Sequence, residues 1–317
     1  MYSYNMTQWL FFFYFYCLFG WCFESAYVSA RQRQLVNRGF MRGPFLPLYG
    51  SGAIMMLVVS MPFRGNLLLT YISGCIGATA LEYVTGVTME ALFKVRYWDY
   101  SNQKLNYKGH ICLSSTIAWG FLTIFMTDVV HKPIEQFVLA IPMSVLSPVV
   151  FVLTVVIVVD FTLSFKAALD LRDVLVKMEH VKEEMERMQK RLDVLLAVAD
   201  EEIENRIEAR KQKSADRNEE LLNALEDRFA GVKEQIRERY EAFPEDVREE
   251  IAELRMKFTS IKEKRLQLRS VRDFYKRHLI LDNPTMHSEK FREALEELKR
   301  AAAEHRKQGS KEKQEEA

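Results

Sequence analysis

Apolar runs organise this chain before any single residue does. Five apolar stretches, at about residues 9–30, 45–63, 66–93, 111–130 and 144–165, fill most of the first half. About 20 apolar residues are needed to cross a hydrocarbon core of about 30 Å. The first, third, fourth and fifth stretches reach that length. Pro44, Pro47 and Pro62 shorten the second, which reads as a short or partly re-entrant helix. The first stretch lacks the cationic region and cleavage site of a signal peptide, so it is expected to be a retained span. Beyond residue 165 the pattern changes. Leu171, Val174, Met178, Val181, Met185, Met188, Leu192, Leu195 and Ala199 repeat at alternating steps of three and four. That spacing predicts a coiled-coil seam on a helix running out of the fifth span. After a polar stretch over 208–220, Asp216 with Glu219 offers a capped restart, and Leu222, Leu225, Phe229, Val232 and Ile236 rebuild a seam. Pro244 can open a further helix carrying Ile251, Leu254, Phe258, Ile261, Leu268 and Val271. Asn283-Pro284 marks a turn before a short amphipathic helix through Phe291, Leu295 and Leu298.

The expected architecture is all-α. A polytopic membrane bundle of about five spans covers 1–165, a cytosolic helical, coiled-coil region covers 166–305, and a low-complexity charged tail over 306–317 is expected to be disordered. Heptads do not say whether a seam closes within one chain as a hairpin or joins a second copy or a partner.

Charge follows the same division. The 44 Lys and Arg residues split as 10 up to residue 165 and 34 after it, and the 43 Asp and Glu residues as 7 and 36. One half is written for lipid and the other for water. The near-neutral balance gives no reason to invoke nucleic acid. All four cysteines, Cys17, Cys22, Cys75 and Cys112, lie in the apolar half, and no Cys/His spacing suggests zinc or a disulfide framework. Arg31, Arg33, Arg38 and Arg42 fill one inter-span loop, and Lys94, Arg96, Lys104 and Lys108 another. The alternate side offers only Arg64 and Lys132. Positive charge marks the cytoplasmic side, so the N-terminus is expected outside and the tail inside. In the third span Ser73, Gly74, Gly77 and Ala78 form overlapping small-xxx-small pairs that permit close helix approach.

Ionisable groups inside a span cost about 2.5–3.5 kcal/mol or more. Glu24, Glu82, Glu90 and Asp160 lie within or near the ends of spans one, three and five, all toward the expected cytoplasmic side. With Asp99 in the adjoining loop, they make Glu24, Glu82, Asp99 and Asp160 the candidates for lining a polar cavity. Each also has a purely structural reading, as an interface residue or as the partner of a loop arginine. Arg38, Gly39, Arg42 and Gly43 precede the second span and suit an anion, since glycines permit close approach and arginine binds oxyanions. Contact with lipid headgroups explains them equally. Trp98 and Tyr100 suit anchoring at the membrane interface.

A resemblance rests on motifs that stand in order: Gly20-Trp21-x-x-Glu24, Asn37-Arg38-Gly39-Phe40, Gly43-Pro44, Pro47-x-Tyr49-Gly50, Glu82-Tyr83, Trp98-Asp99-Tyr100-Ser101 and Gly109-x-x-Cys112-Leu113. Over about residues 9–165 the chain resembles the ABC-transporter type IV family, the CmpB-like bacterial membrane proteins. His110 stands where that pattern leads us to expect Arg or Lys. The resemblance implies a transporter permease of the bacterial cell membrane. No Gly-x4-Gly-Lys-Ser/Thr phosphate loop occurs in the sequence, so ATP-driven transport would need a separate ATPase subunit. Five spans also make a thin wall, which calls for a second copy or a partner membrane subunit.

Three function classes follow. The leading one is a permease subunit with a cytosol-facing polar cavity. The second is a non-transporting membrane scaffold that recruits partners through its tail. The third is an intramembrane enzyme on a lipid or prenyl phosphate, with Glu24, Glu82 or Asp99 as acid or base and Arg38 and Arg42 on the phosphate. No catalytic dyad or metal spacing supports the third. Membrane lipids are the expected surroundings, and no cofactor is expected.

Overall fold

A computed structural model describes residues 4–199, 225, 245–270 and 274–315, and the structure is 80% helical. Asn5 opens α1 (Met6–Gln32): its side chain takes the backbone N–H of Gln8 while the Gln8 side chain takes that of Asn5, a reciprocal cap. Arg33 ends α1 in the left-handed conformation, at φ 54°. Pro47 begins α2 (Pro47–Ser60), and Pro62 sits in the tight turn that closes it, Met61–Phe63. Next come α3 (Leu67–Phe93) and a two-stranded antiparallel hairpin, β1 (Asn106–Tyr107) and β2 (Ile111–Cys112). The fourth membrane helix is built from α4 (Leu113–Phe125), a π turn over Met126–Val130 and α5 (His131–Ala140). The remaining elements are α6 (Met143–Ala199), α7 (Glu245–Arg269), α8 (Phe274–Leu281) and α9 (Arg292–Glu315).

Four of these are long and apolar enough to cross a membrane: Met6–Gln32, Leu67–Phe93, Leu113–Ala140 and the stretch beginning at Met143. The expected five spans thus become four long helices and a shorter one, Pro47–Phe63. At 1.5 Å per residue, the 14 residues of α2 rise only about 21 Å. The fourth span also overruns its expected end at 130, because Lys132-Pro133 does not stop the helix. Pro133 has no N–H to give to the preceding turn. The π turn just before it, where the N–H of His131 bonds to the carbonyl of Met126, absorbs the mismatch.

Two compact units divide the chain: Met1–Arg172 with Arg272–Lys290, and Asp173–Val271 with Phe291–Ala317. The first has an apolar core of Phe12, Tyr14, Tyr16, Met41, Met56, Leu57 and Leu146, among others. Its outer surface is apolar as well: Phe151, Val152, Val155, Val156, Val158 and Val159 are all exposed. A water-soluble unit would not leave so continuous a band uncovered. The small residues of α3 behave as expected. A Cβ on Gly74 would collide with Thr123, and one on Gly77 would come within 2.7 Å of Val59.

In the second unit Val181, Met185, Met188, Leu192 and Leu195 pack with Leu225, Ile251, Leu254 and Phe258. Arg191 pairs with Glu250 at 2.5 Å, and the largely buried Arg265 with Glu297 at 2.9 Å. The seam thus closes within one chain. Its register differs at one point, for Leu175 is fully buried where Val174 was expected. The two neighbours flank the seam, and an unsupercoiled 3.6-residue period drifts from one to the other. The restart at Asp216 and Glu219, and seam positions Leu222, Phe229, Val232, Ile236 and Val271, lie outside the described residues, as does Pro244. By contact, the segment 272–290 groups with the first unit, and the last helix runs on to Glu315. The Ala-, Glu- and Lys-rich composition of that end favours helix once it has begun.

Candidate functional site: paired acids and a strap at the loop end

Residues 33–46 and 94–112 join the helices at one end of the first unit. The first loop is tied down locally. Trp21 donates to the Asn37 side chain at 2.5 Å, Asn37 donates to the carbonyl of Arg42 at 2.6 Å, and Ser25 takes the N–H of Arg38. Gly39 has φ +147°, which L side chains rarely adopt. These bonds hold Arg38 beside Glu24, with its Nε 3.5 Å from the carboxylate, and Tyr49 donates to Glu24 at 2.7 Å.

Glu82 is 6% exposed and belongs to α3. Tyr100 donates to its Oε1 at 2.9 Å; Trp119 at 2.9 Å and Ser115 at 3.3 Å donate to Oε2. Tyr100 lies within electrostatic reach of both Glu82 and Glu24, and burial with those two charges pushes its phenol up. Glu24, Tyr49, Tyr100 and Glu82 therefore form one neighbourhood. Asp160 accepts the N–H of Gly43 at 2.8 Å. Gly43 is thereby taken by the chain's own carboxylate. Arg42 lies 5.9 Å from the ring of Tyr275.

The second loop centres on Arg96, which meets Glu90 at 2.8 Å, Asp99 at 3.9 Å and Glu289 at 3.1 Å. Its guanidinium is held above the ordinary value chiefly by the bond to Glu90. Burial pushes the Asp99 carboxyl up, but two bonds from Ser101 and the charges of His287 and Arg96 outweigh it and hold the group low. Tyr100 turns inward to Glu82, and Trp98 donates to the carbonyl of His110 at 3.0 Å.

Residues 274–290, here called the strap, complete this end. Asn283 and Thr285 accept from Arg38 at 2.9 and 2.8 Å, and Asn283 also donates to the carbonyl of Gly39. His278 bonds to the carbonyl of Met41 at 3.0 Å, Thr285 donates to that of Tyr97, and Ser288 to that of Lys94. Arg96 and His287 exchange both backbone hydrogen bonds, at 2.7 and 2.9 Å. Leu279, Ile280 and Met286 are almost fully buried. None of the strap residues was singled out as functional from the sequence. Its one signal there is the Leu279-Ile280-Leu281 run, too continuously apolar for the amphipathic pattern around it.

A second polar cluster was also missed. His131, fully buried, bonds Tyr16 through Nδ1 at 2.7 Å and Tyr4 through Nε2 at 3.2 Å, and Tyr4 donates to Glu135. In the sequence His131 reads only as a loop residue beside Lys132. Replacing His131 with leucine would strand the buried Tyr16 hydroxyl. That should cost about 1–3 kcal/mol, read as a lower unfolding temperature that Tyr16→Phe restores in the double variant.

Residues 11–165 match the family described as "Putative ABC-transporter type IV". No curated protein and no solved structure matches the chain. The strap lies outside the matched range, whereas Glu24, Arg38, Tyr49, Glu82, Arg96, Asp99 and Asp160 lie within it. Over residues 11–165, just under half of the chain, the sequence is thus similar to the ABC-transporter type IV family.

Proposed function

We propose that this protein is a permease-type membrane subunit whose working groups are the acids of the loop end. The supporting observation is Glu82, a carboxylate set in the interior of α3 and held by three donors from two other segments. An ionisable side chain maintained inside a membrane helix at such cost is a functional candidate with its partners named. The family match over residues 11–165 supports the transporter class. In this reading the protein lies in the bacterial cell membrane, with its loop end and tail cytoplasmic and its N-terminus outside, as the loop charges favour. The neighbourhood of Glu24 and Glu82 is the polar face that a substrate meets, and any ATP hydrolysis comes from a separate subunit. A second copy or another membrane subunit completes the wall.

A scaffold reading draws on a different observation: the second unit has its own apolar core and cross-helix ion pairs, all outside the family match. The two readings diverge at the acids. Glu24→Gln and Glu82→Gln keep shape and hydrogen-bonding capacity while removing charge. The permease reading expects both variants to accumulate in the membrane as the wild type does and to fail in complementing a deletion strain. Full complementation by both would leave the scaffold reading standing.

A further inference from the structure

Arg38 is 12% exposed, and its environment is unusual for a buried charge. Its acid, Glu24, comes nearest at Nε, at 3.5 Å. The two terminal nitrogens hold neutral oxygens from the strap, Asn283 Oδ1 on Nη1 at 2.9 Å and Thr285 Oγ1 on Nη2 at 2.8 Å. The carbonyl of Tyr97 completes the set at 3.5 Å from Nη2. Paired oxygens on Nη1 and Nη2 are what a carboxylate or phosphate presents to arginine end-on, and charged oxygens bind roughly twice as strongly as neutral ones. Near the same guanidinium, the buried Tyr97 hydroxyl feels the charge of Arg38 and has no hydrogen-bond partner among the described residues. An oxyanion would supply the acceptor it lacks.

We propose that Arg38 is a phosphate-class oxyanion site, and that the strap closes it by placing Asn283 and Thr285 where the ligand's oxygens would lie. Asn283 is the fixed half of the closure, 1% exposed and bonded also to the carbonyls of Gly39 and Leu279. Thr285 is the exposed half and marks the side from which a ligand enters. The phosphoryl group can belong to free phosphate or to a lipid headgroup, because both present the same oxygens. Binding and strap closure compete for the same two nitrogens, so each opposes the other to an equal degree. The inference rests on the reading above only for the purpose of the loop end. Its test reads binding rather than transport, so either can fail alone.

The test uses the full chain in phosphatidylcholine vesicles, as wild type, Thr285→Val and Arg38→Gln. Valine keeps the shape of threonine and removes the oxygen on Nη2. Inorganic phosphate is titrated, and amide exchange is followed over residues 279–286. Thr285→Val should bind phosphate roughly tenfold or more tightly than wild type, and Arg38→Gln should not bind it. Exchange over 279–286 should rise as phosphate binds the wild type. Vesicles containing phosphatidic acid form the second arm. Strap release there, without release by inorganic phosphate, assigns the site to a headgroup, and release by both assigns it to phosphate in general. Equal binding by all three proteins would overturn the proposal. So would a Thr285→Val protein that responds to neither probe, whether its strap is protected or already open.

Discussion

Glu82→Leu should lower the unfolding temperature of the membrane unit far more than Glu82→Gln does. Leucine suits a membrane helix and removes a charge from an apolar setting, so hydropathy alone predicts a gain. The hydrogen bonds decide otherwise. Tyr100 and Trp119 each lose their acceptor on Glu82, whereas Ser115 retains the carbonyl of Cys112 at 2.9 Å. Two stranded donors at about 1–3 kcal/mol each give a loss of about 2–6 kcal/mol, a large part of the 5–15 kcal/mol that holds a typical fold. Glutamine avoids most of this. Its carbonyl can serve Trp119, and its amide can face Tyr100, whose hydroxyl turns from donor to acceptor. Thermal unfolding in detergent, with tryptophan emission as the probe, should rank wild type close to Glu82→Gln and both well above Glu82→Leu. Equal stability for leucine and glutamine would show that Tyr100 and Trp119 do not depend on a polar partner at residue 82.

That contrast also marks where sequence reading stops. Apolar runs placed the membrane helices because the demand for about 20 apolar residues is local. The prolines around α2 announced its shortness for the same reason. Lys132-Pro133 misled, since a π turn can carry a helix past a proline and no residue pattern announces that turn. The acids at 24 and 82 stood out by their setting, but their partners did not. Tyr49, Tyr100 and Trp119 lie 18–37 residues away and look like ordinary interfacial aromatics until the fold brings their donors to the acids. The strap was harder still. Arg38 and Asn283 are 245 residues apart, and several strap bonds end on backbone carbonyls, which carry no residue signature. Heptads in the tail revealed that a seam exists, while its partners Ile251, Leu254 and Phe258 could be matched to it only by the structure.

The seam itself should fail abruptly under charge. Met185 and Leu192 are 1% and 0% exposed in the core of the second unit. Replacing both with aspartate forfeits about 1.5–3 kcal/mol of apolar burial per side chain and places two carboxylates where no donor awaits them, which adds several kcal/mol more. The sum is comparable to the whole stability of a domain, so the unit should unfold rather than loosen. Circular dichroism of the full chain should lose helix, and limited proteolysis should cut within 173–271. Val194 provides the control. It lies two residues beyond Leu192 but is 52% exposed, and Val194→Asp should change stability by no more than about 0.5 kcal/mol. Because the seam closes within one chain, the damage should be the same at every protein concentration. A seam shared between two chains would instead give a wild-type unit whose stability rises with concentration, and a double variant that resembles dilute wild type. Concentration dependence of that kind would mean that the packing of Met185 and Leu192 on Ile251, Leu254 and Phe258 is not what stabilises the tail.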